Sequence, residues 1–350
     1  MSSWSALAQL PLEIEGYELE GLRAEVSSDF ERLSTVIHMR GGGEEGLGED
    51  VTYDGVDQEI LQREGATLPL AGSYSLEGFC AHLESLQLFP QPPQREVSER
   101  YRRWAYESAA LDLALRQAGT SLHAALGREP RPVRFVVSLR LGEPPTIEPL
   151  QRRLELYPGL RFKLDPTSSW DEPLIARLVA TGAVDSVDFK GYYSGSIVDQ
   201  PPDPLLYRRV LEAFPQAWIE DPALTPETEP ILAPHSERFS WDAIIHSIAD
   251  IESLPYPARM VNIKPSRLGG LRNLLDAYDY CAERGIGNYG GGQFELGVGR
   301  GQNQYLASLF HADAPNDVAP SGFNLPAPAP GLPSSPLAPA PAELGFRWRA

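Results

Sequence analysis

The sequence predicts an α/β protein: a closed parallel (β/α) barrel behind a separate α+β region. Three observations point there. From Val133 onward, short apolar runs alternate with amphipathic stretches over about 190 residues, the grammar of repeated strand–helix units. Residues 1 to about 125 instead carry long alternating runs followed by helical stretches. Several of the later apolar runs end in an ionisable residue, as in VNIKPSRLGG at 261–270. There Val261 and Ile263 share one strand face, Asn262 and Lys264 share the other, and Pro265 with Gly269 and Gly270 stops the strand. A doubly wound open sheet is the alternative, but no GxGxxG follows the first strand.

In chain order, residues 16–40 alternate and read as two antiparallel strands, and GGGEEGLGED at 41–50 reads as a glycine-rich turn. Helices are predicted over 76–90 and 97–118. In the second, Ala110, Leu111, Ala114, Leu115 and Ala118 recur at helical spacing, and Gly119 ends it. Then come the strand RFVVSLRL, a helix near 146–157, LRFKLD, a helix near 171–181, VDSVDFK, and a helix near 204–214 opened by Asp203 and Pro204. AWIEDP, a short helix near 226–233, RFSWDAI, MVNIKP and LRNLLDAYDYCAERG continue the alternation. A strand-like NYGGGQFE and the helix RGQNQYLASLF close it. The Pro/Ala-rich stretch over 326–350 is expected as an extended tail packed on the surface.

The 350 residues, 42% of them hydrophobic, suffice for two domains. A formal net charge of −18 speaks against nucleic acid or an anionic membrane as partner, since both need a basic surface. Only Cys80 and Cys281 are present, and no CxxC pair occurs, so a disulfide framework or zinc-thiolate site is not expected and a cytoplasmic setting fits. The start lacks a basic region followed by a long apolar one, and no run approaches the roughly 18 apolar residues of a membrane helix.

The strand ends carry the chemistry. Arg161, Lys163 and Asp165 lie two apart, Asp188 and Lys190 likewise, and Glu220, Asp242, Lys264 and Glu295 end later runs. Each alone reads as a solvated charge, but one per successive strand converges on a barrel mouth. Three carboxylates on neighbouring strands make an oxygen cage suited to Mg²⁺. Lysines across the barrel would flank whatever the ion holds, and burial beside a cation brings a lysine toward a usable base. A metal-bound carboxylate substrate then loses its α-proton to give an enediolate.

In these residues the sequence resembles the enolase superfamily, in its muconate-lactonising subgroup. ESAALDLALRQAGTSLHAALG is similar to the helix joining that family's capping domain to its barrel. NIKPSRLGG and GGGQFELGVGRGQNQYLASL are similar to segments of o-succinylbenzoate synthases and N-acylamino acid racemases. The resemblance implies a barrel of enolase type over 126–325, an N-terminal α+β capping domain over 1–125, and a small-molecule carboxylate substrate. It implies Asp188, Glu220 and Asp242 as Mg²⁺ ligands, Lys163 as the second-strand base, Lys264 as the base or cation on the opposite face, and Glu295 in the region of substrate contacts; Arg161 and Lys190, which stand outside the family pattern, are candidate substrate contacts. It also implies a glycine-rich loop near 41–50 that closes over substrate, and it leaves room for a homo-oligomer.

Departures from the family pattern stand beside these. Arg161 takes the place of a second lysine on the second strand, so a shifted register would put Asp165 at the base position. Lys190 follows Asp188 where the family commonly has Asn, and YYSGSIVDQPP reads as an insertion. The cluster from Gly297 to Gly301 offers free N–H groups for a substrate anion. No histidine has metal spacing or a position for a His–Asp base pair, and Ser240 and Ser266 lack a base partner. Three functions stay open: a β-elimination of the synthase kind, racemisation or epimerisation of an N-acylamino acid or dipeptide, and a non-catalytic binding protein on the same fold.

Overall fold

The computed structural model describes residues 2–26, 30–193 and 199–349; residues 194–198, within the YYSGSIVDQPP stretch, lie outside the described residues. In the N-terminal part, β1 (Pro11–Ile14) pairs antiparallel with β5 (Gly72–Ser75). β2 (Gly16–Val26), β3 (Phe30–Gly41) and β4 (Glu44–Asp50) form an antiparallel sheet. Helices α1 (Gly55–Glu64), α2 (Leu76–Glu84), α3 (Val97–Gln117) and α4 (Leu122–Leu126) complete it.

The expected glycine-rich turn at 41–50 is mostly strand. Only Gly42 and Gly43 turn, both at positive φ, between the paired Gly41 and Glu44, which is the two-residue type I′ geometry. Gly46 and Gly48 serve a different purpose. A Cβ on Gly46 would stand 2.2 Å from the Ala109 carbonyl, and one on Gly48 2.0 Å from that of Ala105. The missing side chains let α3 lie against β4 at backbone distance, so the loop expected to close over substrate is instead a fixed strand of the cap.

The barrel strands are β6 (Val137–Leu139), β7 (Phe162–Leu164), β8 (Val184–Asp188), β9 (Trp218–Glu220), β10 (Phe239–Trp241), β11 (Met260–Asn262) and β12 (Gly287–Tyr289), all parallel and paired in sequence order. Between and after them lie α5 (Glu148–Leu156), α6 (Glu172–Thr181), α7 (Pro204–Ala213), α8 (Glu229–Leu232), α9 (Ile248–Glu252), α10 (Pro265–Leu268), α11 (Leu271–Arg284) and α12 (Val298–Phe310). Local chemistry sets their starts. The Asp171 side chain accepts the Leu174 N–H at α6, and Asp203 accepts those of Leu205 and Leu206 at α7, with Pro204 in the first turn.

The ring closes through residues 316–317. Asn316 bridges in parallel to Phe135, just before β6, and Asp317 to Gly291, just after β12. The strand-like NYGGGQFE is thus the seventh strand only as far as Tyr289, and the eighth position falls to a short segment with no strand pattern of its own. The tail is extended and holds the two parts together. Leu337 pairs with Val133, Gly345 with Thr120, and the fully buried Phe346 packs against Trp104 and Tyr305. Among the described residues no helix is long and apolar enough to cross a membrane.

Candidate active site

Five of the expected residues meet at one end of the barrel. Asp188 ends β8 in register with Glu220 at the end of β9, Asp242 follows β10, Lys264 follows β11, and Lys163 lies in β7. None is more than 6% exposed, so their charges must be compensated within the protein. The Lys163 ammonium lies 2.7 Å from Glu220 Oε1, 3.2 Å from Asp317 and 3.5 Å from Asp188. Lys264 Nζ donates to Asp242 Oδ2 at 2.8 Å, and Arg267 reaches Asp242 Oδ1 at 2.6 Å and its carbonyl. Lys190 joins them: its ammonium pairs with Asp188 Oδ2 and stands 3.8 Å from Asp165.

The two lysines have unlike surroundings. Burial works against charge on Lys163, but Glu220, Asp317 and Asp188 overcome it and hold its pKa well above the usual lysine range. Burial dominates at Lys264, whose pKa is lowered; Asp242 opposes this, while Arg267 and Lys163 add to it. The expectation made Lys163 the second-strand base and Lys264 the base or cation opposite it. These environments favour the reverse division, with Lys163 the fixed cation and Lys264 the group nearer to a free amine. The register also sets Lys163 beside Ser186, one inward-facing position below Asp188, which leaves Asp165 rather than Lys163 at the level of Asp188.

Two expected substrate contacts stand elsewhere. Arg161 precedes β7 at the end of the strand away from the mouth. There its guanidinium bonds Asp185 at 2.9 Å and the Gly182 carbonyl, because Asp185 near the start of β8 is the nearer carboxylate. Glu295 is buried in the loop after β12, where Phe294 at φ 54° breaks the strand alternation. Its carboxylate pairs with Arg300 at 3.0 Å and accepts from Gln293 N–H and Asn303, so it braces its own loop. The N–H groups of Leu296, Gly297 and Gly299 are likewise filled. They donate to Glu49 of β4, 2.7–3.1 Å away, so the cap supplies the anion there instead of a substrate.

Four residues of the cluster escape a reading by strand ends. Asp317 comes from the closing segment. Arg267 lies within the quoted NIKPSRLGG but one turn into α10. Tyr193 donates to Asp242 at 3.3 Å. Asp221, beside Glu220 in WIEDP, sits at φ 45° and accepts the N–H groups of Asp242 and Ala243, which aims Asp242 at the mouth.

The glycine run GGG at 290–292 makes the room these side chains occupy. A Cβ on Gly291 would stand 2.5 Å from both Lys264 Cε and Asn262 Nδ2, and one on Gly292 2.7 Å from Arg300. Gly291→Ala is expected to displace Lys264 by a fraction of an ångström to an ångström and lower turnover by about 10²-fold. The accompanying loss of stability is about 1–3 kcal/mol. Steady-state kinetics beside urea unfolding of the same variant checks both.

The donor set suits a divalent ion. Among the described residues, Glu220 Oε2 is buried with no hydrogen-bond partner. Asp165, Asp188, Glu220, Asp221, Asp242 and Asp317 crowd one cluster, and burial beside other carboxylates raises the pKa of Glu220 well above the usual range, of Asp221 to about 7 and of Asp165 to about 6. A hard cation with oxygen ligands answers both observations. Among the described residues no three carboxylates already converge as a cage. Each would-be ligand instead carries a cation: Lys190 on Asp188, Lys163 on Glu220, and Lys264 with Arg267 on Asp242.

Comparison with known proteins agrees with this architecture. Residues 129–325 match the C-terminal domain, and residues 5–125 the N-terminal domain, of a family described as a domain of unknown function (DUF8230). An o-succinylbenzoate synthase of Geobacillus stearothermophilus is 29% identical over 272 residues, covering 71% of this chain and 68% of that protein. An N-succinylamino acid racemase of Amycolatopsis sp is 30% identical over 267 residues, covering 68% of this chain and 70% of that one. The crystal structure of an enolase-superfamily member from Listeria innocua superposes with a TM-score of 0.64 at 21% identity, over 89% of this chain and 86% of that one. Members of that superfamily generally use a divalent metal, commonly Mg²⁺. The chain belongs to the DUF8230 family and to the enolase superfamily, and it is an enzyme of the lyase or isomerase kind.

Proposed function

We propose that the barrel mouth removes a proton α to a substrate carboxylate and uses the resulting enediolate for a β-elimination of the o-succinylbenzoate synthase kind. The observation that carries this reading is geometric. Lys163 and Lys264 enter one buried carboxylate cluster from β7 and β11, the second and sixth strands of an eight-membered ring, and so from opposite sides. Asp188, Glu220 and Asp242 would hold Mg²⁺, which when bound supplies positive charge to the substrate carboxylate. Lys264 takes the α-proton. Lys163, kept charged by its three carboxylates, faces the developing negative charge from the other side. The Lys264 ammonium then returns the proton to the β-hydroxyl, which leaves as water while the Cα–Cβ double bond forms. Arg267 and Asp221 act on Asp242, holding its carboxylate in place.

Racemisation of an N-succinylamino acid is the second reading, and the same opposed lysines favour it: one removes the proton and the other delivers one to the far face. Single-lysine variants separate the two. A two-base racemase lacking one lysine still exchanges the α-proton of one enantiomer with D₂O, read by proton NMR. A one-base eliminase lacking Lys264 exchanges neither. Full turnover in both single variants would rule out both mechanisms. The reading includes a cytoplasmic setting, in keeping with the unpaired Cys80 and Cys281, and a small carboxylate as substrate.

A further inference from the structure

Lys190 is held in an unusual way. Its backbone adopts φ 54°, a left-handed conformation rare for a residue with a side chain. This folds the chain back on Asp188: the Lys190 N–H donates to Asp188 Oδ1 at 3.1 Å, and its ammonium pairs with Oδ2. Both oxygens of Asp188 are thereby engaged by one residue. A second place for the same ammonium lies alongside. Asp165 Oδ1 is buried, has no hydrogen-bond partner among the described residues, and stands 3.8 Å from Lys190 Nζ. The ring of Tyr193, 5.1 Å from that nitrogen, gives it a further favourable wall.

We propose that Lys190 is a built-in counter-ion that alternates between two carboxylates, resting on Asp188 when no divalent ion is bound and moving to Asp165 when one is. The proposal rests on the metal reading of Asp188, Glu220 and Asp242 given above. In the metal-free protein the ammonium neutralises Asp188, a buried charge whose other cation among the described residues is Lys163 at 3.5 Å. Metal binding must break that pair, so Lys190 weakens metal affinity. Asp165 strengthens it, by receiving the released cation and meeting the need of its own unpaired oxygen. Lys190 and Asp165 therefore affect metal binding with opposite signs although neither is a ligand.

The test uses Mn²⁺ as probe, with the free ion followed by electron paramagnetic resonance on the full chain. Lys190→Met should bind Mn²⁺ roughly 10- to 100-fold more tightly than the unmodified protein. Asp165→Asn should bind it several-fold more weakly, and the double variant should return to the affinity of Lys190→Met, because without the lysine there is no cation to receive. Without metal, Lys190→Met should melt at a lower temperature, and saturating Mn²⁺ should raise its melting point by more than it raises that of the unmodified protein. Equal or weaker binding by Lys190→Met would overturn the proposal while leaving the metal site standing. An unchanged affinity in Asp165→Asn would overturn the transfer to Asp165, and this holds even if Lys190→Met does not fold. No saturable binding by either the unmodified protein or Lys190→Met up to millimolar Mn²⁺ would overturn both this proposal and the metal reading beneath it.

Discussion

Lys264→Met should lower α-proton exchange by about 10²- to 10⁴-fold, the range expected when a positioned general base is removed. The lysine is placed for this. It follows β11 at the mouth, is almost fully buried, and lies in the space that Gly291 leaves open. Methionine fills a similar volume and cannot accept a proton. The fold should survive, because Asp242 keeps Arg267 at 2.6 Å and its N–H remains bonded to Asp221. Circular dichroism and binding of a substrate-like carboxylate check that survival. A variant that binds such a ligand normally and has lost exchange isolates the base. One that exchanges at the original rate would transfer the role to another group.

Arg102→Met should destabilise the folded protein by about 3–5 kcal/mol, the cost of leaving a buried carboxylate without its counter-charge. Arg102 and Asp50 are both fully buried, with Nε 2.8 Å from Oδ2. Arg102 also donates to the carbonyls of Leu88 and Asp57, and its guanidinium lies 3.5 Å from the Phe89 ring centroid. These contacts tie α3 to the end of β4 and to the chain around α1. Urea unfolding measures the loss. The double variant Arg102→Met with Asp50→Asn should recover part of it, since the orphaned charge is then gone. An equal loss in the double variant would assign the effect to packing and carbonyl bonds instead of to the charge.

The parts of this molecule legible in its sequence are those set by local rules. Alternation in a strand places Asp188, Glu220, Asp242 and Lys264 on inward faces whatever lies across the barrel. The Asp203–Pro204 pair likewise announces α7 through its own cap geometry. What stayed hidden was decided by distant chain. Glycine at 46 and 48 reads as turn chemistry until α3 is laid on it. The N–H groups before α12 read as an anion seat until Glu49 arrives from the cap, about 250 positions away in sequence. Arg161 shares strand parity with Lys163, yet it precedes the strand, where Asp185 holds it away from the mouth. Asp317 had no signal at all, because the segment that closes the barrel is held by two isolated bridges and has no apolar alternation.

The central claim is that this mouth removes a proton α to a carboxylate, and proton NMR in D₂O tests it most directly. The substrates are N-succinylamino acids and β-hydroxy carboxylates, incubated with the protein and Mg²⁺. The account predicts that the α-proton signal of at least one of them fades in the presence of the unmodified protein and persists with Glu220→Gln. An α-proton signal that persists across the whole panel, with folded protein shown to hold the metal, would contradict it.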